Sequence, residues 1–302
     1  MRSEHTVPKA SCEGPAVALA RLLSGADSHR AQGVLLSMPA GYSGRPAFAE
    51  AASEAYGGTA HPDLRCLGPE GAGRQITVDA IRGVDAFLCA SPTRDTGQRV
   101  AKTLALFHAD RLNASATGAI LKSLEEPSGH TRILLLTDCP DRLEATIRSR
   151  CLIRRLHADP DAAAAEVRYW AATFAGDAPH APGDDDVAAK LSLLDGNPRL
   201  AAAAWHYGLS DWIETLGRWA RRPDPDPPLP PMGRKTDPDF TLIAEIAQAI
   251  VAGKLRGVGG PAPAALWSFA TRMGAAGRAG MDGKTRLHTG LMALARAMDA
   301  TA

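Results

Sequence analysis

The sequence predicts an α/β domain on a mostly parallel sheet, followed by helical modules. Three observations predict it. Short apolar runs alternate with helix-period segments as far as residue 157, the order that a parallel sheet with helices on both faces requires. The first such run, GVLLSMPAG, passes through proline and glycine straight into a helix pattern, giving strand, loop and helix in succession. Beyond His157 the composition turns alanine-rich and helical.

The elements follow in order. PAVALARLLSGA (Pro15–Ala26) is a helix. Pro15 suits its first turn, and Val17, Leu19, Leu22 and Leu23 form an apolar stripe. GVLLS is a buried strand, and RPAFAEAASEAYGG is a helix with Pro46 at its start and Gly57-Gly58 as its stop. HPDLRCLGP is a strand between turn signals. TVDAIRGVDAFLCASP reads as one helix, capped by Thr77, with Ile81, Val84 and Leu88 on one face. Leu104–Phe107 is a second buried strand. NASATGAILKSLEEP is a helix capped by Asn113 and ended by Pro127. TRILLLTDCP is a third buried strand, DRLEATIRSRC a short helix opened by Asp141, and LIRRL a short strand. The expected domains are an α/β domain over 1–157, a small helical domain over 158–208, and a helical domain over 209–302. The last contains a segment, 223–238, with seven prolines, which cannot be a helix interior.

Composition bounds the function. The chain has 302 residues, 45% of them apolar, enough for two or three domains with sizeable cores. Aromatics make up only 5%, so the core is aliphatic. A net charge of +1 leaves no whole-molecule electrostatic argument for nucleic acid or membrane. The five cysteines are scattered, with no C-x-x-C, so reduced thiols are expected and no zinc ligand set is evident. The N-terminus carries no secretory signal pattern, and no apolar stretch approaches the roughly 20 residues of a membrane helix. A soluble, cytoplasmic protein is expected.

MPAGYSGRPAF occupies the place of a phosphate-binding loop. Such a loop follows a strand, reads G-x-x-x-x-G-K-[ST] and opens a helix. Its amides cradle phosphates, its lysine reaches the terminal ones, and its hydroxyl binds magnesium. Here Gly41 and Gly44 are present, but Pro39 replaces the first glycine, Arg45 the lysine and Pro46 the hydroxyl residue. Taken alone, the segment is an ordinary glycine turn. A second position argues further. A nucleotide-hydrolysing α/β domain ends a strand with an acid for magnesium, and motor ATPases add a glutamate that activates water. In TLALFHADRLN those places hold Phe107 and His108, with Asp110 beyond the strand end. Magnesium prefers oxygen ligands. Two losses of one function point to an ATPase fold that no longer hydrolyses ATP.

The stretch LNASATGAILKSLEEPSGHTRILLLTDCPDRLEATIRSRC resembles a block of the bacterial clamp-loader subunits, an AAA+ family. That family pairs an N-A-L-L-K-x-L-E-E-P-P helix with an L-x-T strand, a P-x-x-L-x-x-T-I/L helix and S-R-C. Gly118–Pro127, Leu134–Thr137, Leu143–Ile147 and Ser149–Cys151 carry these motifs, with Gly118 and Ser128 departing from them. The resemblance spans roughly Gly33–Leu156 and continues more weakly through LDGNPRL. The damaged loop makes the chain similar to the delta-prime branch of DNA polymerase III clamp loaders rather than to the ATP-hydrolysing gamma/tau branch. Many relatives carry a four-cysteine zinc module before the HPD segment; YGGTAHPD is too short for it, so no zinc is implied.

The resemblance implies an AAA+-like α/β domain, a helical lid and a helical collar that oligomerises. It implies gamma/tau and delta subunits, a sliding clamp and primed DNA as partners, with no membrane. It implies no productively bound cofactor: the ATP belongs to a neighbouring subunit, which Arg150 reaches in trans as an arginine finger. The alternatives are a divergent active ATPase and a DNA-repair or helicase-loading module on the same fold.

Other residues have plainer readings. Lys122 and Glu125 form an i,i+3 pair on a solvated helix face, and Glu125-Glu126-Pro127 shapes the helix end. Arg148 is as consistent with a surface charge as with a phosphate contact. Cys151 is a small buried apolar residue, and Thr137 a strand-end hydroxyl. Arg199, in GNPRL, is either part of a capped helix start or a second phosphate sensor. Trp205, Trp212 and Trp219 pack helices, and Arg82 is a weak DNA-contact candidate.

Overall fold

The computed structural model describes residues 14–24, 33–69, 75–93, 102–126, 131–157, 159–175, 183–220, 227–231, 240–255 and 287–293. The chain divides into two compact units, Met1–Ala165 and Glu166–Ala302.

The first unit runs α1 (Pro15–Leu23), β1 (Gly33–Ser37), α2 (Arg45–Tyr56), β2 (Leu64–Leu67), α3 (Val78–Arg82), α4 (Asp85–Cys89), β3 (Lys102–Phe107), α5 (Ala114–Glu125), β4 (Thr131–Thr137), α6 (Ala145–Arg148) and β5 (Leu152–Arg155). The five strands form one wholly parallel sheet in the order β2-β3-β4-β1-β5, the parallel sheet with flanking helices that the sequence led us to expect. β3 and β4 are buried along their whole length and β1 as far as Leu36, as strands covered on both faces must be. The edge strands β2 and β5 are only partly buried. The core on one face gathers Leu35, Leu104, Leu106, Ile133 and Leu135 of the sheet with Ile81, Leu88, Ala116, Ile120 and Ile147 of the helices.

Several element starts follow their local chemistry. The side chains of Thr77 and Asn113 accept from Ala80 N and Ala116 N, capping α3 and α5. Gly57 closes α2 in the left-handed conformation.

Two expectations are corrected. The segment from Thr77 to Ala90 is not one helix: Gly83 and Val84 form a turn that separates α3 from α4. Val84 is buried together with Ile81 and Leu88, so core contacts set the bend. Asp141 does not open the next helix either. Pro140–Arg142 is a separate 3-10 turn, and Leu143 is extended and buried before α6 begins at Ala145. Sending Leu143 into the core breaks the helix that the sequence pattern suggests.

Two buried cations hold the sheet margins. Lys102, at the start of β3, donates to the carbonyls of Phe87 and Ala90 at the end of α4, the latter at 2.8 Å, and lies 4.2 Å from the Phe87 ring centre. Burial pushes its ammonium below the ordinary lysine value. Arg132 of β4 donates to Leu22 O at 2.5 Å, tying the sheet to the last turn of α1.

The division between the units falls within α7 (Pro160–Ala175). The second unit continues with α8 (Asp184–Leu193), α9 (Pro198–His206), α10 (Ser210–Trp219) and α11 (Phe240–Leu255), and residues 287–293 are helical. Trp212 and Trp219 are buried, and the Trp212 indole donates to Pro228 O at 3.0 Å, so a described piece of the proline-rich segment packs on α10. The Pro127 stop, and residues 223–226 and 232–238 of that segment, lie outside the described residues.

Candidate functional site

β1, β3 and β4 all end on one side of the sheet, where ligand crevices of open α/β sheets form. The loop after β1 is built there. Gly41 and Gly44 adopt left-handed φ of +79° and +73°, a conformation open to glycine at little cost. Gly44 is the residue before α2. A Cβ on it would lie 2.8 Å from Leu136 Cδ2. Tyr42 and Ser43 are buried, and Ser43 Oγ accepts from Arg45 N at 3.1 Å. The Gly41 amide donates to Asp138 Oδ2 at 2.9 Å. A carboxylate of the chain itself thus meets an amide of the loop.

The two substituted positions meet each other. The Arg45 guanidinium lies over the Phe107 ring, 4.4 Å from its centre, and Phe48 packs against the same ring edge-on at 5.3 Å. A side chain at Gly68 would collide with the Arg45 guanidinium. Arg45 therefore sits on an aromatic face, and Phe107 offers no oxygen to a cation. Pro46 offers no hydroxyl. These residues do not fit a magnesium-bound nucleotide.

His108, Asp110 and Asp138 surround the same loop. They are the one group among the described residues whose ligand atoms, one from each, lie within 4.8 Å of one another. Their oxygens are engaged by the chain: Thr137 Oγ1 donates to Asp110 Oδ1 at 2.7 Å, Arg111 pairs with Asp110 Oδ2 at 3.4 Å, and Asp138 takes the Gly41 amide. Burial pushes the His108 imidazole below its ordinary value; Asp138 and Asp110 oppose the shift, while Arg45 and Arg111 add to it. Sequence reasoning passed over Asp138. Its signal was a carboxylate directly after a strand end, beside the loop.

Arg150 lies at the other side of the sheet. It follows α6 and precedes β5, and a side chain at Gly33, the first residue of β1, would come within 3.3 Å of the Arg150 carbonyl oxygen. The Arg150 side chain is 39% exposed. Nη1 donates to Thr146 O at 3.0 Å, and Nη2 pairs with Glu125 Oε1 at 2.6 Å. This corrects the expected Lys122–Glu125 pair: Glu125, the last residue of α5, is turned to Arg150 instead. Sequence spacing could not show it, because the two residues meet only when α5 and α6 pack.

The remaining candidates have partners within their own unit. Arg148 pairs with Asp141 at 3.1 Å and Arg82 with Asp79 at 4.0 Å. Thr137 binds Asp110 and accepts from Cys139 N. Arg199 pairs with Glu245 of α11, beside the Asn197 cap of α9. Cys151 packs on the core of the first unit, and burial pushes its thiol up to about 11.

Residues 53–160 match the family model described as DNA polymerase III, delta subunit. The DNA polymerase III subunit delta-prime of Pseudomonas aeruginosa is 38% identical over 146 residues, 48% of this chain and 41% of that one. Its counterpart in Escherichia coli is 36% identical over 143 residues, 47% of this chain and 39% of that one. These matches span less than half the length of the relatives. A solved structure, a DNA polymerase III gamma subunit-related protein from Thermotoga maritima, overlays at a TM-score of 0.45 and 17% identity, covering 93% of this chain and 99% of that one. Among the described residues, no helix is long and apolar enough to cross a membrane. Over residues 53–160, the greater part of its α/β unit, the chain is similar to the delta-prime subunits of DNA polymerase III.

Proposed function

We propose that the chain is a non-hydrolysing subunit of the DNA polymerase III clamp loader, and that Arg150 serves the ATP site of a neighbouring subunit. The observation that carries this reading is the Arg45–Phe107 stack. The residue in the place of the phosphate lysine covers the residue in the place of the magnesium acid, so the site is filled rather than merely incomplete. Arg150, by contrast, is exposed and away from that filled site. A guanidinium offers a planar fork of donors to a phosphate. Supplied in trans, such a group is worth about 10³–10⁵ in phosphoryl-transfer rate. Arg199, the other candidate phosphate contact, is paired with Glu245 much as Arg150 is with Glu125; the choice of Arg150 rests on its place in the S-R-C motif.

The partners in this reading are gamma/tau and delta subunits, the sliding clamp and primed DNA, in the cytoplasm. Reconstitution with gamma/tau and delta tests it. Arg150→Ala is expected to leave assembly intact, by size-exclusion chromatography, and to lower clamp- and DNA-stimulated ATP hydrolysis by roughly tenfold or more. An unchanged rate in the assembled mutant complex would exclude the arginine's role.

A further inference from the structure

We propose that Glu125 is a positioning residue that holds Arg150 away from the neighbouring subunit's phosphate until DNA engages the assembled complex; the proposal rests on Arg150 acting in trans. The Arg150 guanidinium is tethered at both ends: Nη1 to the Thr146 carbonyl and Nη2 to Glu125 Oε1. The first tether is a neutral acceptor in α6, the short helix that ends just before Arg150. The second is a carboxylate on a different helix, and it uses the edge of the fork that a phosphate would need.

A carboxylate cannot stay beside that edge when a triphosphate arrives, because the two anions repel. Nor is Glu125 well placed for α5 itself. It ends the helix, where the dipole disfavours an anion and favours a cation. Arg150 supplies that cation, so the pair serves the resting state and is given up when DNA engages the complex. Side-chain exposures of 39% for Arg150 and 50% for Glu125 mark a pair that water screens and that opens at small cost. That suits a latch better than a fixed structural bridge. Glu126, one residue on, forms no ion pair among the described residues, which makes it the natural control.

The test uses the complex reconstituted with gamma/tau and delta, and measures ATP turnover without DNA. Glu125→Gln is expected to raise that turnover about two- to fivefold, the range an exposed ion pair can withhold. The gap from wild type should narrow as salt rises and screens the pair. Glu125→Asp keeps the charge and should stay near the wild-type rate, and Glu126→Gln should match wild type. Melting temperature and assembly, read alongside, should not move. A Glu125→Gln rate at or below wild type, with Arg150→Ala strongly reduced, overturns the latch and leaves the role of Arg150 standing. An Arg150→Ala complex that turns over like wild type removes both.

Discussion

Phe107 is the residue on which the filled site turns. It is 1% exposed, meets Phe48 edge-on and carries Arg45 on its face. Removing the ring leaves a cavity against β3 and strips Arg45 of its seat. Phe107→Ala should cost about 3–5 kcal/mol, read as a fall in the urea midpoint. Arg45→Ala loses only the cation–π contact and some packing, about 0.5–2 kcal/mol. His108, the next residue, makes a pH prediction. Its folded imidazole titrates below the ordinary value of about 6.5, so the unfolded chain binds the proton first. Stability is therefore intact above pH ~6.5 and falls as pH drops below it. Asn tolerates the left-handed backbone that His108 adopts at φ +52°, so His108→Asn should flatten this acid-side loss in melting temperature. A wild-type slope retained in His108→Asn would assign the loss to other groups.

Elements were legible in the sequence where their signals are local. Thr77 and Asn113 announced α3 and α5 because an N-cap acts within its own turn. The apolar runs announced β1, β3 and β4 because parallel strands are covered on both faces. Two breaks were illegible. The Gly83-Val84 turn and the extended Leu143 follow from contacts with a core that lies far along the chain. The candidate site divided the same way. Arg45, Pro46, Phe107 and Arg150 were readable from motif positions. Asp138 at the Gly41 amide and Glu125 at Arg150 were not, since each pair joins separate elements. Gly44 yields a prediction at this scale. It starts α2 with φ +73°, and a Cβ would press on Leu136 and Met38. Gly44→Ala should destabilise the unit by about 1–3 kcal/mol, measured by thermal or urea unfolding.

At the scale of the molecule, the parallel sheet gives the α/β unit a direction. Val34 to Ser37 of β1 run alongside Leu152 to Arg155 of β5. The glycine loop leaves the far end of β1, and Arg150 stands beside the near end, at Gly33. Five residues of strand separate them, about 16 Å at 3.3 Å per residue. Groups this far apart, with no shared partner, are expected to act additively. Gly44→Ala should therefore lower stability in solution without changing the Arg150-dependent part of ATP turnover in the assembled complex, measured below the melting range. A double variant whose loss of turnover exceeds the sum of the two single effects would show the ends to be coupled. The consequence reaches past these variants. On the proposed function, the length of the sheet separates the two ends, so substitutions in the glycine loop are expected to be read as stability rather than as lost chemistry at Arg150.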